Sequence, residues 1–164
     1  MAIVGPGGAG KTTFATELGR RTGLPVVHLD RLHWQPGWVE TPTSEWEEIV
    51  TREVSEERWI MDGNYAGTYG TRFSRADTII VLAPPRWRCL RGALGRILSN
   101  RGRAVQADGC PERVDLHYLR WIYRYPTASR PGLDRAIAGS GRHARVVELR
   151  SPIAVEAFLA SVRR

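Results

Sequence analysis

Residues 5–12 read Gly-Pro-Gly-Gly-Ala-Gly-Lys-Thr, a full G-x-x-x-x-G-K-[ST] pattern, and no other feature limits the fold so severely. Such a loop has to curl around an anion with its backbone N–H groups turned inward. Gly5, Gly7, Gly8 and Gly10 permit those dihedrals and, with the small Ala9, leave the approach clear. Lys11 offers a compact, movable ammonium, Thr12 a hydroxyl placed to ligate a hard cation, and Thr13 ends the phosphate footprint. Ile3 and Val4 precede the loop as a short buried strand, and Phe14, Ala15 and Leu18 follow at helical spacing. The positive end of that helix adds to the anion site. Only four residues stand before Gly5, few for a central strand, which leaves a start upstream of Met1 open.

Composition narrows the partners. The net charge of +7 calls for anions without choosing among nucleotide phosphates, nucleic acid and a membrane surface. Lys11 is the one lysine among 24 basic residues, the rest being arginine. The longest clear apolar run, Ile79–Ala83, is far short of the roughly 20 residues of a membrane helix. Residues 1–7 carry no charged n-region or cleavage site, so no signal peptide is expected. Cys89 and Cys110 have neither metal-ligand nor redox spacing, and a reducing cytoplasm is the expected compartment. A chain of 164 residues makes one domain, 1–164, expected as a monomer or weak dimer.

Along the chain, a helix over 11–22 stops at Thr22-Gly23-Leu24-Pro25, and Val26–Leu29 forms a short strand ending at Asp30. Residues 31–42 are a Trp-, Pro- and Gly-rich loop. Ser44-x-x-Glu47 is a capping box for a helix burying Trp46, Ile49, Val50 and Val54. A third strand, Arg58–Met61, ends at Asp62-Gly63, and a fourth spans Thr78–Leu82. Pro85 starts a helix with Trp87, Leu90, Leu94, Ile97 and Leu98 toward the core. Helices over 114–125 and 131–138, a strand over 144–149 and a helix over 152–162 complete the chain. Buried strands alternating with helices predict a parallel sheet covered on both faces. Ligands of such sheets sit beyond the carboxyl ends of the strands, where Gly5, Asp30 and Asp62 fall together.

Asp62 closes an apolar strand as a magnesium-holding carboxylate would, or caps the turn at Gly63. Asp30 is a candidate base or orienter for an acceptor hydroxyl, or the acceptor of a plain Asx-turn. Trp34 and Trp38 either stack on an acceptor's ring or fold their loop onto the sheet. Arg101, Arg103 and Arg113, with Gly102 and Gly109 as hinges, suit a flap that closes over a triphosphate, or a solvated loop. Arg113, His117, Arg120 and Arg124 fall on one helical stripe, an anion surface or an ordinary exposed face.

The layout resembles the adenylate-kinase-like P-loop kinases. Trp59-Ile60-Met61-Asp62-Gly63 matches the opening of the adenylate kinase signature, but Asn64-Tyr65-Ala66 stands where that family has an aromatic, Pro and Arg. Arg72 is then the nearest substitute for the arginine that grips the acceptor. The chain is similar in more detail to the DNA-topology-modulation proteins of the flagellar-regulation type. The match runs through the loop, Leu29-Asp30, Trp34, Pro36-Gly37-Trp38, Asp62-Gly63-Asn64-Tyr65 and Cys110-Pro111-Glu112-Arg113. The resemblance implies a three-layer P-loop NTPase fold with a five-stranded parallel sheet of order 2-3-1-4-5. It also implies ATP and Mg²⁺ binding, an acceptor segment over about 30–72, a lid over about 101–125, and nucleotide contacts from Arg96 and Arg113.

These readings converge on a small-molecule, nucleoside or nucleotide kinase. Its catalytic groups would be Lys11, Asp30, Asp62 and Arg113, its metal ligands Thr12 and Asp62, and its acceptor contacts Asp30, Trp34, Trp38, Arg72 and Arg120. The alternative is a nucleic-acid-associated ATPase using the basic stripe on a phosphate backbone. Gly63, where a hydrolytic ATPase places a glutamate beside its strand-end Asp, favours the kinase. The chain also lacks the Asn-Lys-x-Asp of a GTPase switch.

Overall fold

A computed structural model describes residues 1–162. In chain order the elements are β1 (Ala2–Val4), α1 (Lys11–Thr22), β2 (Val26–His28), α2 (Leu29–His33), β3 (Trp34–Gln35), β4 (Val39–Glu40), α3 (Thr43–Ser55) and β5 (Ile60–Asp62). A 3₁₀ turn (Ala66–Thr68) leads to α4 (Tyr69–Arg75), β6 (Thr78–Leu82), α5 (Arg86–Ser99), α6 (Leu116–Ala128), α7 (Arg130–Gly139), β7 (Arg145–Leu149) and α8 (Pro152–Ser161). Five strands form one parallel sheet of order β2-β5-β1-β6-β7, and β3 pairs with β4 as a separate antiparallel hairpin. Counting the sheet strands alone, this is the expected 2-3-1-4-5.

Alternation along the central strands sends side chains to two cores. Ala2, Val4, Met61, Ile79 and Val81 pack with Trp46, Val50 and Val54 of α3, Phe73 of α4 and Leu133 of α7. Ile3, Ile60, Ile80 and Leu82 face the other way, onto Phe14, Ala15 and Leu18 of α1 and Leu159 of α8. Each fully buried Leu, Ile or Phe contributes about 1.5–3 kcal/mol relative to exposure. The two layers thus hold the strand ends of β1, β2 and β5 level, with Ile3 and His28 both in register with Asp62. Among the described residues no helix is long and apolar enough to cross a membrane.

Helix ends follow local chemistry. Gly23, in the left-handed region, stops α1 by donating its N–H to Gly19 O at 2.8 Å. Asp115 caps α6 by accepting from the N–H groups of His117 and Tyr118, so the helix begins at Leu116 and runs past Pro126 to Ala128. Arg113 therefore precedes the helix, and the expected four-residue basic stripe loses its first member.

Three further expectations are corrected. The Ser44–Glu47 capping box does not form: Thr41 Oγ1 is anchored on His33 O, Pro42 takes the cap position, and Ser44 lies inside the first turn. The second strand stops at His28, one residue early, and Leu29 opens α2, which places Asp30 in that helix's first turn. On α5 the buried face is Cys89, Ala93 and Ile97, leaving Trp87 58% and Leu98 71% exposed. The reason is close approach. A Cβ on Gly8 would overlap the Cys89 carbonyl, and one on Gly92 would overlap the Gly8 carbonyl, so small residues must face the loop.

Candidate active site

The phosphate loop is braced from within and from β5. Lys11 Nζ donates to Gly5 O (3.0 Å) and Pro6 O (3.1 Å), folding the ammonium back over the loop. Burial pulls this ammonium below its ordinary pKa, against the opposing pull of the Asp30 and Asp62 carboxylates. Asn64 grips Gly5 from both sides: its Oδ1 accepts from the Gly5 N–H at 3.0 Å, and its Nδ2 donates to Gly5 O at 2.6 Å. Gly8 and Gly10 both have positive φ, and Gly10 is the point at which the loop turns into α1.

Below the loop, Thr12 Oγ1 donates to Asp62 Oδ2 at 3.0 Å, and His28 Nδ1 lies 2.6 Å from Asp62 Oδ1. Asp62 is 4% exposed, so both of its oxygens are engaged by protein. A hydroxyl and a carboxylate side by side are the hard-oxygen donors that suit Mg²⁺. The strand end thus brings together the two residues expected to hold it.

Two cavities open on this edge. The first, of about 420 Å³, is lined by Gly7, Gly8, Gly10, Lys11, Thr12, Thr13, His28, Asp30, Arg31, Asp62 and Arg96, together with Gln106 and Tyr118. The second, of about 540 Å³, is lined by Trp34, Trp38, Glu40, Tyr65, Glu112, Arg113, Asp115, His117 and Trp121. The two share Gly7, Lys11, Asp30, Arg96, Gln106 and Tyr118, so they meet over the loop. Tyr65 donates its hydroxyl proton to Asp30 Oδ1 at 2.6 Å, and burial with that carboxylate raises the Tyr65 pKa, keeping it a donor. Among the described residues Trp38 and Tyr65 are the non-glycine residues with positive φ, and both line the second cavity. Such backbone costs about 1–3 kcal/mol per residue and persists only where surroundings impose it.

The arginines sort differently from expectation. Arg96 lines both cavities; its Nε lies 2.9 Å from Glu112 Oε1, at an angle poor for a hydrogen bond, so the pair is held by charge. Arg113 faces the second cavity only. Arg72 lies outside both and is 0% exposed. Its guanidinium donates to the carbonyls of Gly63 (2.9 Å), Asn64 and Tyr65 (3.4 Å) and to Thr68 Oγ1 (3.0 Å), and full burial keeps it from any ligand in the cavities. The backbone of Arg101–Arg103 pairs with Glu112 while both arginine side chains are exposed away from the cavities. Arg120 is likewise exposed and outside. Ala9 belongs to neither cavity and packs toward Phe14 and Val155 on the opposite side of the loop.

His28, Asn64, Tyr65 and Tyr118 went unassigned by sequence reasoning. His28 and Asn64 flank the ligand edge, a positional signal that was available. Tyr118 reads as an apolar-face residue, yet its hydroxyl lies against Gly7, where any Cβ would overlap it.

Comparison with known proteins agrees with this architecture. The isopentenyl transferase family model matches residues 1–63, from β1 through the loop to the turn after β5. No curated protein matches the chain. Among solved structures, a presumed kinase from Chloroflexus aurantiacus j-10-fl is 15% identical over 97% of this chain and 94% of its own, with a TM-score of 0.55. Shikimate kinase from Aquifex aeolicus VF5 is 13% identical over 98% and 94%, with a TM-score of 0.53. The fold is the three-layer P-loop NTPase fold. At these identities the likeness establishes architecture alone.

Proposed function

We propose that this protein is a phosphotransferase that moves the γ-phosphoryl group of ATP to the hydroxyl of a small acceptor, within the adenylate-kinase-like group and nearest the topology-modulation type. The observation that carries the reading is that Lys11 and Asp30 line both cavities at their junction, one cavity built for phosphates and the other walled by aromatics. The loop N–H groups and Lys11 neutralise charge on the transferring group, and Arg96 reaches the same space. Asp30, oriented through one oxygen by Tyr65, has its second oxygen for the acceptor hydroxyl. Thr12 and Asp62 would hold Mg²⁺, which when bound offsets charge on the β- and γ-phosphates. An apolar cleft beside Gly10 and Thr13, lined by Pro152 and Val155, suits the nucleobase.

Isothermal calorimetry with Mg²⁺ and ATP, together with an ADP-release assay, tests this. Lys11→Ala should cut transfer at least about a hundredfold while the chain stays folded. Unchanged turnover would remove the assignment.

The partial isopentenyl transferase match favours a second reading, in which the loop grips the diphosphate of a prenyl donor. That reaction releases pyrophosphate instead of ADP, so the same assay separates the two. The nucleic-acid reading has less support, because Arg113 falls off the helical stripe it needs.

A further inference from the structure

The second cavity combines aromatic walls with a charge balance of the wrong sign for an anionic acceptor. Trp34 and Trp38 of the hairpin meet edge to face (ring centroids 5.5 Å apart, 71° between planes). Tyr118 and Trp121 of α6 stack at 5.9 Å and 17° on the same cavity. Its cations are Lys11, Arg96 and Arg113, against the carboxylates Asp30, Glu40, Glu112 and Asp115. Even a protonated His117 brings the balance only to zero.

Arg96 and the buried Glu112 cancel as a pair, and Lys11 belongs to the phosphate loop, which leaves Arg113 against Asp30, Glu40 and Asp115. Arg72, expected among the acceptor contacts, is spent on backbone carbonyls. The first cavity is different: with Arg96 set aside, Lys11 and Arg31 still match Asp30 and Asp62 there, and the loop N–H groups and the start of α1 tip the balance toward an anion. The molecule thus separates a phosphate-binding half from a half that disfavours a second phosphate.

Resting on the phosphotransferase reading, we infer that the acceptor is an uncharged nucleoside, its base against the tryptophans and its primary hydroxyl at Asp30, and neither a nucleoside monophosphate nor a small acid. Indole faces bind any base through its π-surface, and no cation is required. In the step, the acceptor oxygen forms a bond to the γ-phosphorus while the bond from that phosphorus to the β,γ-bridging oxygen breaks. ADP leaves with the electron pair, and the hydroxyl proton passes to Asp30 and then to solvent. The products are a nucleoside monophosphate, ADP and a proton.

The test uses the full chain with Mg²⁺ and ATP. Adenosine, guanosine, cytidine and thymidine are each compared with their 5′-monophosphates and with shikimate, by ADP release and ³¹P NMR of the product. At least one nucleoside should be phosphorylated with kcat/KM about a hundredfold or more above its monophosphate, because like charges across a site are strongly rejected. Trp34→Ala and, separately, Trp38→Ala should raise the nucleoside KM about tenfold. Glu40→Lys, at an exposed hairpin position, should narrow the nucleoside-to-monophosphate gap at least about threefold. Preference for a monophosphate or for shikimate overturns the inference and leaves the phosphotransferase reading standing. Transfer to none of these acceptors, with Mg²⁺ and ATP still binding, also overturns the inference. Absence of binding heat with Mg²⁺ and ATP overturns the phosphotransferase reading itself.

Discussion

The indole N–H of Trp38 donates to the carbonyl of Pro111 at 3.0 Å, joining residues 73 positions apart in the chain. Beside it the Gly37 N–H donates to Gly109 O at 2.9 Å, and the Cys110 thiol donates to Gln35 O at 3.2 Å. Three bonds therefore fasten the β3–β4 hairpin to the 101–113 segment. The two stretches expected to form an acceptor wall and a lid form one covering over the second cavity. A displacement of one has to carry the other, so in the proposed reaction acceptor binding would be coupled to closure over the phosphates.

Thiol labelling should expose that linkage. Cys110 is 0% exposed at the seam between the hairpin and the segment, while Cys89 is 0% exposed on the buried face of α5. Trp38→Phe removes one hydrogen bond worth about 1 kcal/mol, and Cys110 should react about fivefold faster with a disulfide reagent. Cys89 should keep its rate, giving an internal control read by mass spectrometry. Equal rates at Cys110 in both proteins would mean that the hairpin and the segment open independently.

Arg72 should behave as a structural residue. Arg72→Met leaves the carbonyls of Gly63, Asn64 and Tyr65 and the Thr68 hydroxyl without their buried donor, at a cost of about 3 kcal/mol or more. Burial pulls the guanidinium pKa down to about 10, so the native charge persists at neutrality. Urea unfolding should show the loss directly, and the folded fraction should keep its acceptor KM. A raised KM with unchanged stability would restore the acceptor-binding role that the sequence suggests.

That reversal shows where sequence reading works here and where it stops. The sheet strands, α1 and the strand-end Asp62 were legible because runs such as Thr78–Leu82 and the glycine loop have strong local signatures. The hairpin was not, since Trp34–Glu40 has no periodicity and is held by Gly109 and Pro111, some 70 residues away. The buried face of α5 was misread because Cys89 and Ala93 are small, and their smallness serves the loop. Arg72 and Asn64 act through backbone groups of other residues, and a side chain bonding to a carbonyl leaves no pattern in sequence.

Asn64 offers a cleaner separation of stability from binding. Asn64→Ala strips both partners from Gly5 and should cost about 1–3 kcal/mol in unfolding free energy. Asn64→Asp keeps the acceptor for the Gly5 N–H but loses the donor and adds negative charge beside the phosphate loop. Its affinity for Mg²⁺ and ATP should fall further than that of Asn64→Ala, and the difference should shrink as salt is raised. Calorimetry at two ionic strengths measures this, and equal affinities for the two variants would contradict the placement of phosphate at the loop.

Tyrosines supply the last prediction. Tyr65, Tyr69, Tyr118 and Tyr125 all have raised pKa values, with burial the largest cause in each case. Above the ordinary phenol value of about 10, the unfolded chain releases protons that these native phenols retain. The native state then binds more protons than the unfolded state, so stability is fully present below that pH and declines as pH rises through it. The lowered Lys11 and Arg72 act in the opposite sense, so the slope reports a difference. Tyr125 isolates one contribution, because its buried hydroxyl has no hydrogen-bond partner. Tyr125→Phe removes an unsatisfied polar group and should raise stability by about 1 kcal/mol at neutral pH. It should also flatten the alkaline decline, since one retained proton is gone. Chemical denaturation of both proteins between pH 7 and about pH 11 checks both signs, and a variant that is less stable and equally steep would show that the hydroxyl is satisfied in solution.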